Sequence, residues 1–166
     1  MVGAKGISLD RMVSAVEKVR ERLLKACRVL DLAGIQYAVA GGNAAAAWVP
    51  TVDEAAVRNT RDVDVMIHRH DLEVVRTMLE NAGFVYRHVA SLDVFLESEQ
   101  ASVRDAVQIL FANELVRDGE PTANPGMEAV VDAGEFKILG LAALVQIKLT
   151  LLEKFQDCLV KHLYSA

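Results

Sequence analysis

Aromatic side chains, cysteine, proline and long apolar runs are all scarce in this chain, and each shortage removes a class of protein. Aromatics make up 5% of the 166 residues, so a core must be built mainly from Val, Leu, Ile and Ala. The two cysteines, Cys27 and Cys158, sit inside helix-like apolar patterns. They offer no spaced disulfide or zinc framework and are expected to act as small hydrophobes in a reducing compartment. Positive charge is not in excess: Lys and Arg number 18 against 23 Asp and Glu, for a net charge of −5. Nonspecific DNA binding through a broad basic face is therefore not expected. The most apolar stretch, Gly34 to Pro50, is interrupted by Gln36, Gly41, Gly42 and Asn43 and is too short to span a bilayer. Met1 to Asp10 carries one Lys and no apolar signal core, so the expectation is a cytoplasmic protein with no membrane partner. No Gly-x-x-x-x-Gly-Lys loop, Gly-x-Ser-x-Gly elbow or His-Glu-x-x-His pair occurs, which removes the main rival enzyme classes.

What remains is an ordinary globular composition, 52% apolar and 25% charged, long enough for one domain with a core of its own. After Asp10, a candidate N-cap, apolar residues recur at Met12, Val16, Val19, Leu23, Cys27 and Leu30. That spacing predicts a helix with Arg20, Glu21, Arg22 and Lys25 largely off its apolar face, ended by a left-handed Gly34. Ile35 to Ala40 reads as a buried strand and Asn43 to Trp48 as a helix capped by Asn43. Val63 to Ile67 is a second strand, and Asp71 opens a helix that Gly83 ends. Phe84 to Val89 and Asp93 to Glu97 read as an antiparallel pair, and Ala106 to Phe111 as a further strand. A surface crossing follows, containing Gly119, Pro121, Asn124, Pro125 and Gly126. Phe136 to Leu139 is a last short strand, and a helical pattern runs from Leu141 to the end. The fold class is α/β (α+β): a mixed sheet with helices mainly on one face. One domain is expected over residues 1–166, with a core of about 35–140.

Two features carry chemistry. Gly41-Gly42 stands where a buried strand meets a helix, where glycine lets a ligand approach the backbone and free amides face an anion; turn sterics alone also explain glycine there. Asp62 and Asp64 are two residues apart on a strand, so both carboxylates face one spot. A divalent cation would relieve their repulsion. Alternatively, Asp62 caps the preceding turn and Asp64 pairs with Arg61 or Arg58. His68 and His70 lack a third ligand at useful spacing and read as a solvated turn.

Together, Tyr37-Ala38-Val39-Ala40-Gly41-Gly42-Asn43-Ala44 and Asn59-Thr60-Arg61-Asp62-Val63-Asp64-Val65 resemble the signature of the nucleotidyltransferase superfamily. The Thr-Arg-Asp-Val-Asp-Val run and the later Gly140 to Thr150 stretch resemble its small prokaryotic branch related to abortive-infection-type nucleotidyltransferases. The resemblance implies a nucleotidyltransferase-like sheet and Mg2+ (or Mn2+) held by Asp62 and Asp64. It also implies an NTP bound by Gly41, Gly42, Asn43, Thr60, Arg61 and Lys148, with transfer of an NMP to an unknown acceptor. Lys148 equally fits a side chain snorkelling from a helix edge. The family's third carboxylate falls on Val107-Gln108-Ile109, so Gln108 takes that catalytic place. Asp105, three residues earlier, is expected to face the other way. An impaired, toxin-antitoxin-like module that binds nucleotide or protein is the alternative. In either case the apolar C-terminal helix, with Leu144, Ile147, Leu151, Phe155 and Leu159 in line, is expected to dock on the core or on a second subunit as a homodimer. The longer connection after Trp48 offers Asp53, Glu54 or Arg58 to a substrate.

Overall fold

The computed structural model describes residues 9–48, 60–115 and 122–149. Helix α1 (Leu9–Leu32) is followed by β1 (Tyr37–Val39), α2 (Gly41–Trp48), β2 (Val63–Ile67) and α3 (Leu72–Asn81). The chain continues through the hairpin β3 (Val85–Val89) and β4 (Leu92–Leu96), then β5 (Val107–Phe111), β6 (Val130–Asp132) and β7 (Lys137–Leu139). A fourth helix, α4, occupies residues 141–149. The strands form one mixed sheet in the order β3-β4-β5-β2-β1-β7-β6. The α+β class read from the sequence is thus the observed one.

Alternation along the central strands divides the core. Tyr37, Val39, Val63, Val65, Ile67, Val107 and Ile109 turn toward the helices. There they meet Leu23, Cys27 and Leu30 of α1, Ala44 of α2 and Val75 and Leu79 of α3. Ala38, Met66 and Leu139 turn the other way and pack with Met127 and the partly buried Ile147 of α4. Among the described residues, then, α1, α2 and α3 share one face, while α4 reaches both clusters through Leu144 and Ile147.

Several local expectations hold for the reasons given. Gly34 ends α1 with φ +67° and Gly83 follows α3 with φ +91°, backbone angles that cost a glycine nothing. The β3–β4 pair is antiparallel. Others need correction. Helix α1 is already under way at Leu9, ahead of Asp10. Helix α2 begins at the diglycine, where the Ala44 amide reaches the Ala40 carbonyl at 3.2 Å. Asn43 is therefore inside the helix and is not its cap. Arg22, expected off the apolar face, is 5% exposed. Asn124, expected in a surface crossing, is buried, and its amide donates to the Phe111 carbonyl at 3.0 Å. Strand β6 lay within a stretch read as irregular. The segments carrying Pro50, Asp53, Glu54, Arg58, Gly119 and Pro121, and the C-terminal Leu151, Phe155, Cys158 and Leu159, lie outside the described residues. No helix among the described residues is long and apolar enough to cross a membrane.

Burial separates two neighbouring leucines of α1: Leu30 is 1% exposed and Leu32 87%. Leu30→Ala should cost about 2–5 kcal/mol through lost burial and a cavity, whereas Leu32→Ala should stay within about 0.5 kcal/mol. Urea unfolding of both variants measures the contrast.

Candidate functional site

The site is assembled by strand register. Strands β1 and β2 are antiparallel with Val39 opposite Val65, and the Ala40 amide still donates to the Asp64 carbonyl at 2.8 Å. This pairing brings the next residue, Gly41, against the Asp64 side chain. Gly41 has φ +58°, and a Cβ there would overlap Asp64 Oδ2. A Cβ on Gly42 would come within 2.7 Å of Thr60 Cβ. Both glycines are thus required by the packing of the acidic segment against the start of α2, whatever else they do.

Val63 and Val65 of β2 enter the helix-side core, which leaves Asp64 for the opposite face, while Asp62 stands just ahead of the strand, near enough for its charge to act on Asp64. Asp62 Oδ1 accepts a hydrogen bond from Thr60 Oγ1 at 2.5 Å. The Asn43 side chain donates to the Asp62 carbonyl at 2.8 Å. Thr60 and Asn43 therefore hold Asp62, whose carboxylate accepts from a side-chain hydroxyl and from no turn amide among the described residues. Asp64 is different. Its carboxylate is partly buried, and no described residue donates a hydrogen bond to it. Burial, and then the neighbouring charge of Asp62, push its pKa up to about 6 from 3.8, while Lys148 on α4 pulls it down. Lys148 is exposed, yet near enough for its charge to be felt by the acid.

Arg61 does not pair with Asp64. Its Nε and Nη2 reach Asp105 at 3.0 and 2.9 Å. The cause is again register: the Val63 amide donates to the Ala106 carbonyl at 3.0 Å, which draws the residue before β5 beside the entry to β2. Strand β5 runs parallel to β2 with Gln108 beside Asp64. Asp64 and Gln108 are both partly exposed between buried neighbours in their strands. The strand neighbour of Asp64 on β5 thus carries a neutral amide.

Of the residues singled out from the sequence, Gly41, Gly42, Asn43, Thr60, Asp62, Asp64 and Gln108 come together, with Lys148 at the margin. Arg61 is next in sequence but spends its charge on Asp105. One contributor escaped the sequence reading. Arg22 sends Nη1 to the Arg61 carbonyl at 2.9 Å and Nε and Nη2 to Glu97 Oε2 at 3.0 and 2.8 Å. The available signal was its place in the row Val19, Arg22, Ala26, Leu30, whose steps of three and four put a charge on the apolar stripe.

Other candidates are less apt for chemistry. Cys27 is fully buried and its thiol pKa is pushed up to about 12, first by burial, so it is a poor nucleophile. His68 and His70 stack on each other just after β2, and His68 Nε2 lies 3.3 Å from Gln36 Oε1. No group of three or more His, Cys, Asp or Glu side chains among the described residues is placed to hold a metal. A cavity of about 420 Å3 between α1, α2 and the β6–β7 turn touches the site only at Asn43 and Thr60. Comparison with protein-family models, curated proteins and solved structures finds no match to this chain. The geometry of the site therefore carries any functional reading alone.

The raised Asp64 pKa has a stability consequence. Below the ordinary carboxylate value Asp64 is neutral both folded and unfolded. Between about 4 and 6 the unfolded chain ionises it while the folded chain keeps the proton, so its contribution to stability falls as pH rises, levelling off above the folded pKa. Metal-free Asp64→Asn should accordingly be more stable than wild type at pH 7.5, by about 2–3 kcal/mol at most. The advantage should fade below about pH 4, as denaturant unfolding across pH would show. An Asp64→Asn variant no more stable at pH 7.5 than at pH 4, relative to wild type, contradicts this electrostatic account.

Proposed function

We propose that this chain is a nucleotidyltransferase-type protein that binds an NTP with Mg2+ (or Mn2+) and transfers its NMP to an acceptor. The observation that carries the reading is Asp64: a partly buried carboxylate to which no described residue donates a hydrogen bond, beside a second acid and against the first turn of a helix. An unpaired charge in such a place is costly unless a cation or a proton offsets it.

The donor set fits a hard cation. Asp62 and Asp64 offer carboxylate oxygens and Gln108 an amide oxygen, and phosphate and water would supply the rest. When bound, the cation neutralises charge on the phosphates. The remaining work falls to the chain itself. The opening amides of α2 at Gly42 and Asn43 present donors and a positive dipole end to the triphosphate. Thr60 and Asn43 fix Asp62 by holding its carboxylate and its carbonyl. Lys148 adds a positive charge at the margin. Gln108 can orient an acceptor hydroxyl through a hydrogen bond but cannot take its proton.

Gln108 favours a second reading, an impaired module that retains nucleotide binding and works through that or a protein partner, as toxin-antitoxin-like proteins would. A cytoplasmic location accompanies either reading. The exposed Leu141, Val145 and Leu149 of α4 support a homodimer through the C-terminal helix, which gel filtration decides.

Calorimetric titration with ATP, GTP, CTP and UTP should show binding of at least one of them that requires Mg2+. Asp64→Asn should weaken that binding at least tenfold although it stabilises the fold. Equal binding without the metal, or no binding of any NTP, sinks the proposal. Turnover by wild type would eliminate the impaired reading.

A further inference from the structure

We infer that Arg22, far from the acids in sequence, is a positioning residue that sets Asp62 beside Asp64 for the metal and nucleotide. The inference rests on the function proposed above. Residues 60–62 precede β2 in irregular backbone, where no strand ladder fixes the chain. Each group there must find its own partner. The Asp62 carbonyl has Asn43, the Asp62 carboxylate has Thr60, and the Arg61 side chain has Asp105. The Arg61 carbonyl has Arg22.

Arg22 is suited to this by its geometry. Its planar guanidinium donates to the Arg61 carbonyl on one side and to Glu97, just beyond β4, on the other. One rigid group thereby ties α1, the end of β4 and the entry to β2 together. Its side chain is 6% exposed, while Glu97 is 40% exposed. The buried member is the cation, and its loss leaves a carbonyl without a donor in the residue preceding Asp62. The peptide plane carrying that carbonyl also carries the Asp62 amide, so a turn of this plane swings the Asp62 side chain with it. Arg20 lies on the same helix but behaves differently. It pairs with Glu135 in the open, with side chains 55% and 58% exposed, and reaches nothing in the acidic segment.

The test is Mg2+-dependent NTP affinity in wild type, Arg22→Met, Arg22→Lys and Arg20→Ala, measured well below each protein's unfolding temperature. Amide NMR spectra identify the folded variants. Arg22→Met should bind MgNTP at least tenfold more weakly than wild type. Arg22→Lys should recover part of the loss, because an ammonium can donate to one partner but cannot span both. Arg20→Ala should stay within twofold. A merely structural Arg22 would lower the unfolding temperature and leave the affinity of the folded protein unchanged, and that result overturns the inference. If Arg22→Met does not fold, Arg22→Lys decides: wild-type affinity overturns the inference, and weakened affinity in a folded protein supports it. Failure of wild type itself to bind MgNTP overturns the underlying functional reading instead, and the two failures are told apart by the wild-type titration.

Discussion

Asp64 presses its carboxylate against Gly41, a backbone position where a side chain would overlap it. Everything at this end of the sheet follows from the two ladders that fix it. The antiparallel ladder with β1 carries one bond past the strand, at Ala40, and so delivers Gly41 to the acid. The parallel ladder with β5 places Gln108 on the other side. A slip of one residue in either ladder would turn Asp64 into the helix-side core and Val63 or Val65 out to water. The apolar burial of those valines, both fully excluded from solvent, therefore also keeps the acid where it is.

The electrostatics are uneven in a way that magnitude clarifies. Pairs such as Arg20–Glu135 and Arg69–Glu114 are largely exposed and are each worth no more than about 1 kcal/mol. The groups around the acidic segment differ because they are tied to backbone that no ladder holds. Glu97–Arg22 and Arg61–Asp105 are two ion pairs at the ends of β4, β2 and β5, joined where Arg22 donates to the Arg61 carbonyl. Both arginines are thereby committed to carboxylates other than Asp62 and Asp64. Among the described residues, the positive charge that acts on Asp64 is that of Lys148, with a smaller effect than burial or Asp62. The fold thus supplies compensation for the backbone of this segment and withholds it from the carboxylate.

How much of this was legible beforehand depended on whether the governing interaction was local. Gly34 and Gly83 were readable because a glycine after an amphipathic run has one common use. The nearness of Asp62 to Asp64 was readable from their spacing, but not that Asp62 lies in a bend ahead of β2, outside the strand alternation. The position of Gln108 followed from apolar flanks on a strand pattern. Strand β6 was not readable: Val130, Val131 and Asp132 are three partly or fully exposed residues whose strand character comes from pairing with β7. Asn43 looked like a cap because Asn commonly caps helices, yet the diglycine before it already continued the helix and freed its amide for Asp62. Arg22 was misjudged because charge normally marks the solvent side. Its partners, 39 and 75 residues away, exist only once the sheet has formed. Arg61 illustrates the same limit, since its nearest acid in sequence is not its partner in space.

Gln108 admits a physical reading beyond the absence of an acid. Two carboxylates carry a charge of −2, which one divalent cation balances; a third would suit a second cation. Without that second cation, a third acid beside Asp64 would raise further a pKa already about 6, because like charges at close range oppose ionisation. Val94, the buried neighbour of Gln108 on β4, offers no compensating charge. Under the proposed function, the amide would keep the site compatible with a single cation shared with phosphate oxygens. Its drawback falls on the acceptor side, where a neutral group can align a hydroxyl but leaves its proton to be taken elsewhere. On the function proposed above, nucleotide capture and nucleotidyl transfer would place different demands on this pocket. The first would draw on Gly41, Gly42, Asp62 and Asp64, whereas the second would turn on what an acceptor found at Gln108.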